Sequence, residues 1–210
     1  MTYYGTDEGL KTPVDTLVPY DRSSPVIVLT DVIPTIALWK VMHKVQHTHG
    51  IESTTYGLDC TPVQSNLRTS FSYPSVQLEF SKELDAAVVA TAKTKFKTRL
   101  TNLSAAWDII SYPVGSEFVQ HHDSGYFDGN KVITTQNRKI SAVLYVNSQG
   151  DGYLGGDIEF PFFADSHTGE KLTIHPKSGM LAIFPSNYAF SHVVKPVTAG
   201  IRVCAVKFFS

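Results

Sequence analysis

From Trp107 to Ser210 apolar and polar residues exchange every few positions and break at glycines, a short period that predicts strands. The predicted strands span 107–113, 117–122, 140–147, 157–162, 171–175, 179–185 and 201–209, divided in part by Gly125, Gly129, Gly150, Gly152, Gly155, Gly156 and Gly169. Ahead of this region the period lengthens. Val26 to Leu29 reads as one short strand, and Pro34 opens a segment carrying Ile36, Ala37, Leu38, Trp39, Val41 and Met42, predicted as a helix that ends near Gly50. A second helix is predicted with Ser81 as its N-cap. It has Glu83 and Asp85 early, Leu84, Val88, Ala92 and Phe96 at four-residue spacing, and Lys95, Lys97 and Arg99 at its end. Acids at the start and bases at the end complement the helix dipole. Residues 1–24 are polar and punctuated by Pro and Gly, and read as an irregular arm.

Many short strands at this spacing predict a mostly β fold with flanking helices: a double-stranded β-helix, the jelly-roll or cupin-like architecture. At 210 residues the chain is expected to form one domain. Within it, 107–210 would be the jelly-roll core, 25–106 a supporting layer of helix and strand, and 1–24 the arm. No internal repeat is found.

Composition narrows the function. Aromatic residues make up 11% of the chain, with 12 Phe and 10 Tyr, which strengthens the strand reading. The net charge is −1 with 18% charged residues, so the one-signed field of a nucleic-acid or membrane-surface binder is missing and no such partner is expected. The two cysteines, Cys60 and Cys204, form no C-x-x-C pair, and Cys204 reads as a small core residue. The N-terminal residues lack a signal pattern and no run approaches 18 apolar residues, so a cytoplasmic location is expected.

The chemistry is carried by His121, Asp123 and His192, with Arg202 close behind. Positions two apart on a strand share a face, so His121 and Asp123 can both look into a barrel while His122 points away. With the distant His192 they make a facial triad, a set that holds iron(II) and leaves open positions. A guanidinium beside it can grip a carboxylate bidentately. His43, His47 and His49 tempt a second metal site, but histidines at a helix C-terminus more simply favour the dipole.

Five ordered blocks extend this pattern. Tyr112 through Asp123 reads Y-x-x-G-x-x-F-x-x-H-x-D, Arg138 through Tyr145 reads R-x-x-S-x-x-x-Y, and Gly155 through Pro161 reads G-G-D-x-x-F-P. Pro176 through Phe184 reads P-K-x-G-x-x-x-x-F, and His192 through Arg202 reads H-x-V-x-P-V-x-x-G-x-R. In these blocks the chain resembles the prolyl 4-hydroxylase-like branch of the iron(II)/2-oxoglutarate dioxygenases, over roughly residues 107–209, with a weaker match at Leu67 to Ser70. The resemblance implies that His121, Asp123 and His192 bind Fe(II). It implies that Arg202, helped by Tyr145 and with Tyr112 nearby, binds 2-oxoglutarate. Dioxygen would be the other cosubstrate and ascorbate a supporting reductant, with succinate and carbon dioxide released.

The implied substrate is a prolyl residue of a peptide or protein. Arg138 is its first candidate contact, and the aromatics Tyr126 and Phe127 sit in a glycine-bearing segment, 124–130, that would cover it as a lid. Hydroxylation of another residue or of a free amino acid stays open. A nucleic-acid demethylase of the superfamily carries a second arginine six positions beyond the cosubstrate arginine, where this chain has Phe208. A halogenating relative lacks the metal carboxylate, present here as Asp123, and a silent binding module has lost a ligand or the arginine; neither loss is seen. The chain departs from the family at Arg202, where Lys is common, at Phe208, where Trp is common, and at Ser141, where Thr is commoner.

Overall fold

Ile140–Tyr145 and Leu181–Pro185 are buried at every position, which is why these two segments are almost wholly apolar while their neighbours alternate. The computed structural model describes residues 25–56, 62–63, 68–101, 103, 105–128, 131–164 and 168–210. The arm predicted over 1–24, Leu67, Cys60 and Gly129 lie outside them. The first half contains β1 (Ile27–Leu29), α1 (Thr35–Gln46), β2 (Ile51–Glu52), β3 (Thr55–Tyr56), β4 (Pro62–Val63), β5 (Phe71–Ser72) and α2 (Ser81–Lys95). The second contains β6 (Asp108–Tyr112), β7 (Phe118–His121), β8 (Gly125–Asp128), β9 (Lys131–Thr134), β10 (Ile140–Tyr145) and β11 (Tyr153–Gly155). It continues with β12 (Ile158–Ala164), β13 (Lys171–Ile174), β14 (Leu181–Pro185), a 3-10 turn (Tyr188–Phe190), β15 (His192–Val194), β16 (Val197–Gly200) and β17 (Arg202–Phe209).

The strands form a seven-stranded sheet, ordered β1-β14-β10-β17-β6-β5-β2, and a four-stranded sheet, ordered β13-β12-β15-β7. The pairs within both sheets are antiparallel, and the short pairs β11-β16, β8-β9 and β3-β4 complete the set. This is the predicted jelly roll. Alternation divides the buried residues of the larger sheet between two cores. Ile109, Ile140, Ala142, Leu144, Leu181, Ile183, Val203, Ala205 and Phe209 face the helices and meet Leu38, Val41, Leu84, Val88 and Phe96. Their neighbours Ile110, Tyr112, Val143, Tyr145, Phe184 and Cys204 face the smaller sheet and meet Ile158, Phe160, Val194 and Phe190.

The predicted apolar stripe of α2 is observed, with Leu84, Val88, Ala92 and Phe96 each at 0% exposure. Burying a Leu or Val this fully contributes about 1.5–3 kcal/mol. Lys207, on the helix-facing side of β17, donates from Nζ to Asp85 Oδ2 at 2.8 Å and to the Leu103 carbonyl at 3.0 Å, while Trp107 Nε1 donates to Asp85 Oδ1 at 3.0 Å. These bonds pin α2 to the sheet.

Three local expectations are corrected. Ser81 is the first residue of α2, and the capping position belongs to Phe80 at φ 63°, with no side-chain cap; the Leu84 amide closes the first turn onto the Phe80 carbonyl at 3.1 Å. Helix α1 stops at Gln46, where the His47 amide turns back to the Lys44 carbonyl at 3.2 Å, well before Gly50. The segment predicted as a flexible lid is instead mostly strand, since β8 pairs with β9 from Gly125↔Thr134 to Asp128↔Lys131. Gly125 suits that pairing, because a Cβ there would stand 1.8 Å from the Ile133 carbonyl oxygen.

Candidate active site

His121 ends β7, Asp123 follows it, and His192 begins β15, the strand paired with β7 in the register His192↔His121. Sheet pairing therefore brings the distant histidine beside the H-x-D pair. The three offer ligand atoms that all lie within 4.8 Å of one another. Asp123 Oδ1 stands 3.5 Å from His121 Nε2 and 3.9 Å from His192 Nε2. Each imidazole is aimed by its other nitrogen: His121 Nδ1 donates to the Val119 carbonyl at 2.8 Å and His192 Nδ1 to the Phe190 carbonyl at 3.0 Å. A carbonyl can only accept, so the proton sits on Nδ1 and the Nε2 lone pair is free. Phe118 stacks on His121 with centroids 3.5 Å apart, and Arg68 lies 5.3 Å above the Phe118 ring.

The electrostatics favour a cation. Burial, then the nearby His121, pushes His192 down to about 4, so it is neutral near pH 7. Burial alone would raise the Asp123 carboxyl, but His192, His121 and the Ser141 hydroxyl outweigh it and hold the group well below the usual carboxylate range. Two imidazoles and one carboxylate on one side of a cavity are the donor set of a facial triad and fit iron(II). As expected, His122 takes no part in this cluster. It is buried against Ser124, with Nδ1 and Oγ 3.1 Å apart, and edge-on to Phe127 at 5.3 Å. His43 and His47 stack on each other at 4.3 Å at the end of α1.

An inner cavity of about 80 Å³ runs from the triad to Arg202, walled by Tyr112, Val143, Ile158, Val194, Cys204 and Val206. Arg202 is 1% exposed. Its guanidinium lies 4.8 Å from the Tyr112 ring centroid and 5.4 Å from that of Tyr145, and Nη1 donates to Cys204 Sγ at 3.5 Å. No carboxylate of the described residues pairs with it, and its Nε, like the Tyr145 hydroxyl, is buried without a hydrogen-bond partner. An unpaired buried charge is costly, so these orphan donors fit a carboxylate ligand. Cys204, expected only to pack, packs and also walls this cavity.

An outer cavity of about 300 Å³ opens onto His121 and Asp123 of the triad and includes Arg68, Asp108, Tyr126, Gln136, Arg138 and Phe208. Arg138 stacks 3.9 Å over the Phe208 ring and donates from Nη1 to the Asp123 carbonyl at 3.0 Å. Of the two aromatics expected over a substrate, only Tyr126 lines this space, because alternation along β8 turns Phe127 toward His122. Asp108 and Tyr153 were not anticipated. Asp108 is the one charged residue of its strand, a visible signal, whereas nothing local marks Tyr153.

Residues 107–210 match the model of the 2OG-Fe(II) oxygenase superfamily. The chain belongs to that superfamily, whose members use iron(II) and 2-oxoglutarate. No curated protein sequence matches it significantly. Among solved structures it is similar to a prolyl hydroxylase from Trichoplax adhaerens in complex with a hypoxia inducible factor oxygen degradation domain peptide fragment. The TM-score is 0.63 at 17% identity, over 88% of this chain and 83% of that one. It is similar to a prolyl-4-hydroxylase from Pseudomonas putida, TM-score 0.59 at 16% identity, over 88% and 91%. A truncated viral collagen prolyl hydroxylase from Paramecium Bursaria Chlorella virus-1 aligns with TM-score 0.64 at 15% identity, over 100% and 97%. The fold is thus prolyl 4-hydroxylase-like. Among the described residues no helix is long and apolar enough to cross a membrane.

Proposed function

We propose that this protein hydroxylates a prolyl residue of a peptide or protein, with release of succinate and carbon dioxide. One observation carries the reading: a two-histidine, one-carboxylate cluster shares a cavity with a fully buried arginine that has no carboxylate partner among the described residues. His121, Asp123 and His192 would hold iron(II), while Arg202 and Tyr145 would hold the distal carboxylate of 2-oxoglutarate with Tyr112 beside it. When bound, iron and 2-oxoglutarate supply the oxidation, in which dioxygen gives one atom to the cosubstrate as it loses carbon dioxide and the other to a substrate C–H bond.

The chain's own residues do the positioning. Val119 and Phe190 carbonyls fix the imidazoles, and the apolar wall of Val143, Ile158, Val194 and Val206 keeps water from the reacting side. In the outer cavity Phe208 and Tyr126 offer rings against which a pyrrolidine ring packs, and Arg138 stiffens that wall through its stack on Phe208. The likeness in fold to three prolyl hydroxylases, one holding a peptide, supports a peptide substrate.

The test is incubation with iron(II), 2-oxoglutarate, ascorbate and a pool of proline-rich peptides, reading succinate and peptide mass together, with His192→Ala as control. A one-oxygen gain on proline, absent in the control, is expected. Succinate without any peptide oxidation would remove the prolyl assignment and leave the oxygenase chemistry standing.

A further inference from the structure

Strand β11 begins with Tyr153, which the pairing Tyr153↔Gly200 with β16 places in the core between the two sheets. The residue is 3% exposed, and its hydroxyl is buried without a hydrogen-bond partner. The same holds for the Tyr145 hydroxyl and for Arg202 Nε. Burial pushes both tyrosine hydroxyls upward in pKa, against the nearby Arg202 charge, so both stay protonated and able to donate. Two O–H groups thus stand beside the Arg202 guanidinium, and neither they nor Arg202 Nε has a hydrogen-bond partner among the described residues.

Gly156 permits this crowding. It adopts φ +69°, and a Cβ there would come within 2.8 Å of Arg202 Cδ and 3.1 Å of Tyr153 Cε2. The glycine lets the arginine stem and the tyrosine ring run side by side. The carboxylate acting on Tyr153 is Asp157, whose Oδ1 lies 3.1 Å from His175 Nδ1 and makes no hydrogen bond to the Tyr153 hydroxyl.

A group that accepts several hydrogen bonds and donates none satisfies all three donors, and an ionised carboxylate is such a group. We infer that the Tyr153 hydroxyl is a third donor, beside Arg202 and Tyr145, to the distal carboxylate of a 2-oxo diacid bound in the inner cavity. The inference rests on the 2-oxoglutarate reading of that cavity. It makes Tyr153 a determinant of selectivity for a diacid over a monoacid of equal length.

The experiment is anaerobic calorimetry on the manganese(II)-loaded protein, comparing wild type with Tyr153→Phe. Two ligands are titrated: 2-oxoglutarate, and 2-oxopentanoate, which keeps the chain length and the 2-oxo acid end but lacks the distal carboxylate. Tyr153→Phe removes one oxygen and keeps the ring, and unfolding curves verify that the fold is retained. The variant is expected to lose about tenfold in affinity for 2-oxoglutarate and to bind 2-oxopentanoate as wild type does. Unchanged 2-oxoglutarate affinity, or an equal loss for both ligands as from a purely structural role, overturns the inference. Wild-type protein that fails to bind 2-oxoglutarate at all overturns the cosubstrate reading beneath it, which separates the two failures.

Discussion

Ser141 Oγ donates to Asp123 Oδ2 at 2.6 Å while lying 2.8 Å from Ser186 Oγ. The bond ties down one carboxylate oxygen and leaves Oδ1 facing the two imidazoles. Groups that orient a metal ligand in this way commonly change affinity by about 10–100-fold when removed. Ser141→Ala is therefore expected to weaken iron(II) or manganese(II) binding by about that range while the fold persists, and Ser141→Thr to keep most of it. Competitive metal titration decides; an alanine variant with wild-type affinity would show that the hydroxyl orients nothing.

Arg138 and Phe208 form one wall of the outer cavity, stacked at 3.9 Å. Arg138→Ala should raise the KM for a peptide substrate by about tenfold, the scale of one lost charge-assisted contact, while 2-oxoglutarate affinity stays as it was. Steady-state kinetics with each substrate varied in turn would show the split. Equal effects on both would place Arg138 outside substrate recognition.

Lys207 and Asp85 are unequal partners, with side chains 3% and 21% exposed. Asp85→Ala strands a buried ammonium and is expected to cost about 3–5 kcal/mol. Lys207→Met should cost far less, because Asp85 keeps the Trp107 donor and some water. Denaturant unfolding of both variants measures the asymmetry, and the reverse order would contradict it.

Glu159 lies between Lys195 Nζ at 3.0 Å and Lys171 Nζ at 3.2 Å. Burial works to raise its carboxyl, but the two lysines prevail and hold it below its ordinary value of 4.5. A carboxylate with a depressed folded-state pKa contributes stability that is present above the unfolded value and fades as pH falls through the folded one. The melting temperature of wild type should thus exceed that of Glu159→Gln near pH 7, and the gap should close as pH falls below 4.5 and through the lowered folded-state value. A gap that persists in acid would rule out this ion pair as its source.

The triad was legible because strand alternation is local: His121 and Asp123 share a face whatever the rest of the chain does. His192 and Arg202 were legible through ordered blocks; sheet pairing sets His192 beside His121, while Arg202 reaches the same cavity from the larger sheet. Tyr153 was not, since its closeness to Arg202 arises from the β11-β16 pair and the absence of a side chain at Gly156, neither of which leaves a local pattern. The assignment of Tyr126 and Phe127 together failed for one of them because a hairpin separates neighbours onto opposite faces. At Phe80 a left-handed aromatic took the capping position that serine chemistry favours, a choice made by the entering chain and invisible in propensity.

Strand β17 writes two messages in alternate letters. Val206 and Phe208 border the cavities, whereas Val203, Ala205, Lys207 and Phe209 hold the helices. Substitutions at the first pair can redirect which molecule is accepted while the second set, and with it the folding of the chain, is left untouched. Reactivity and robustness can therefore drift independently along the same eight residues.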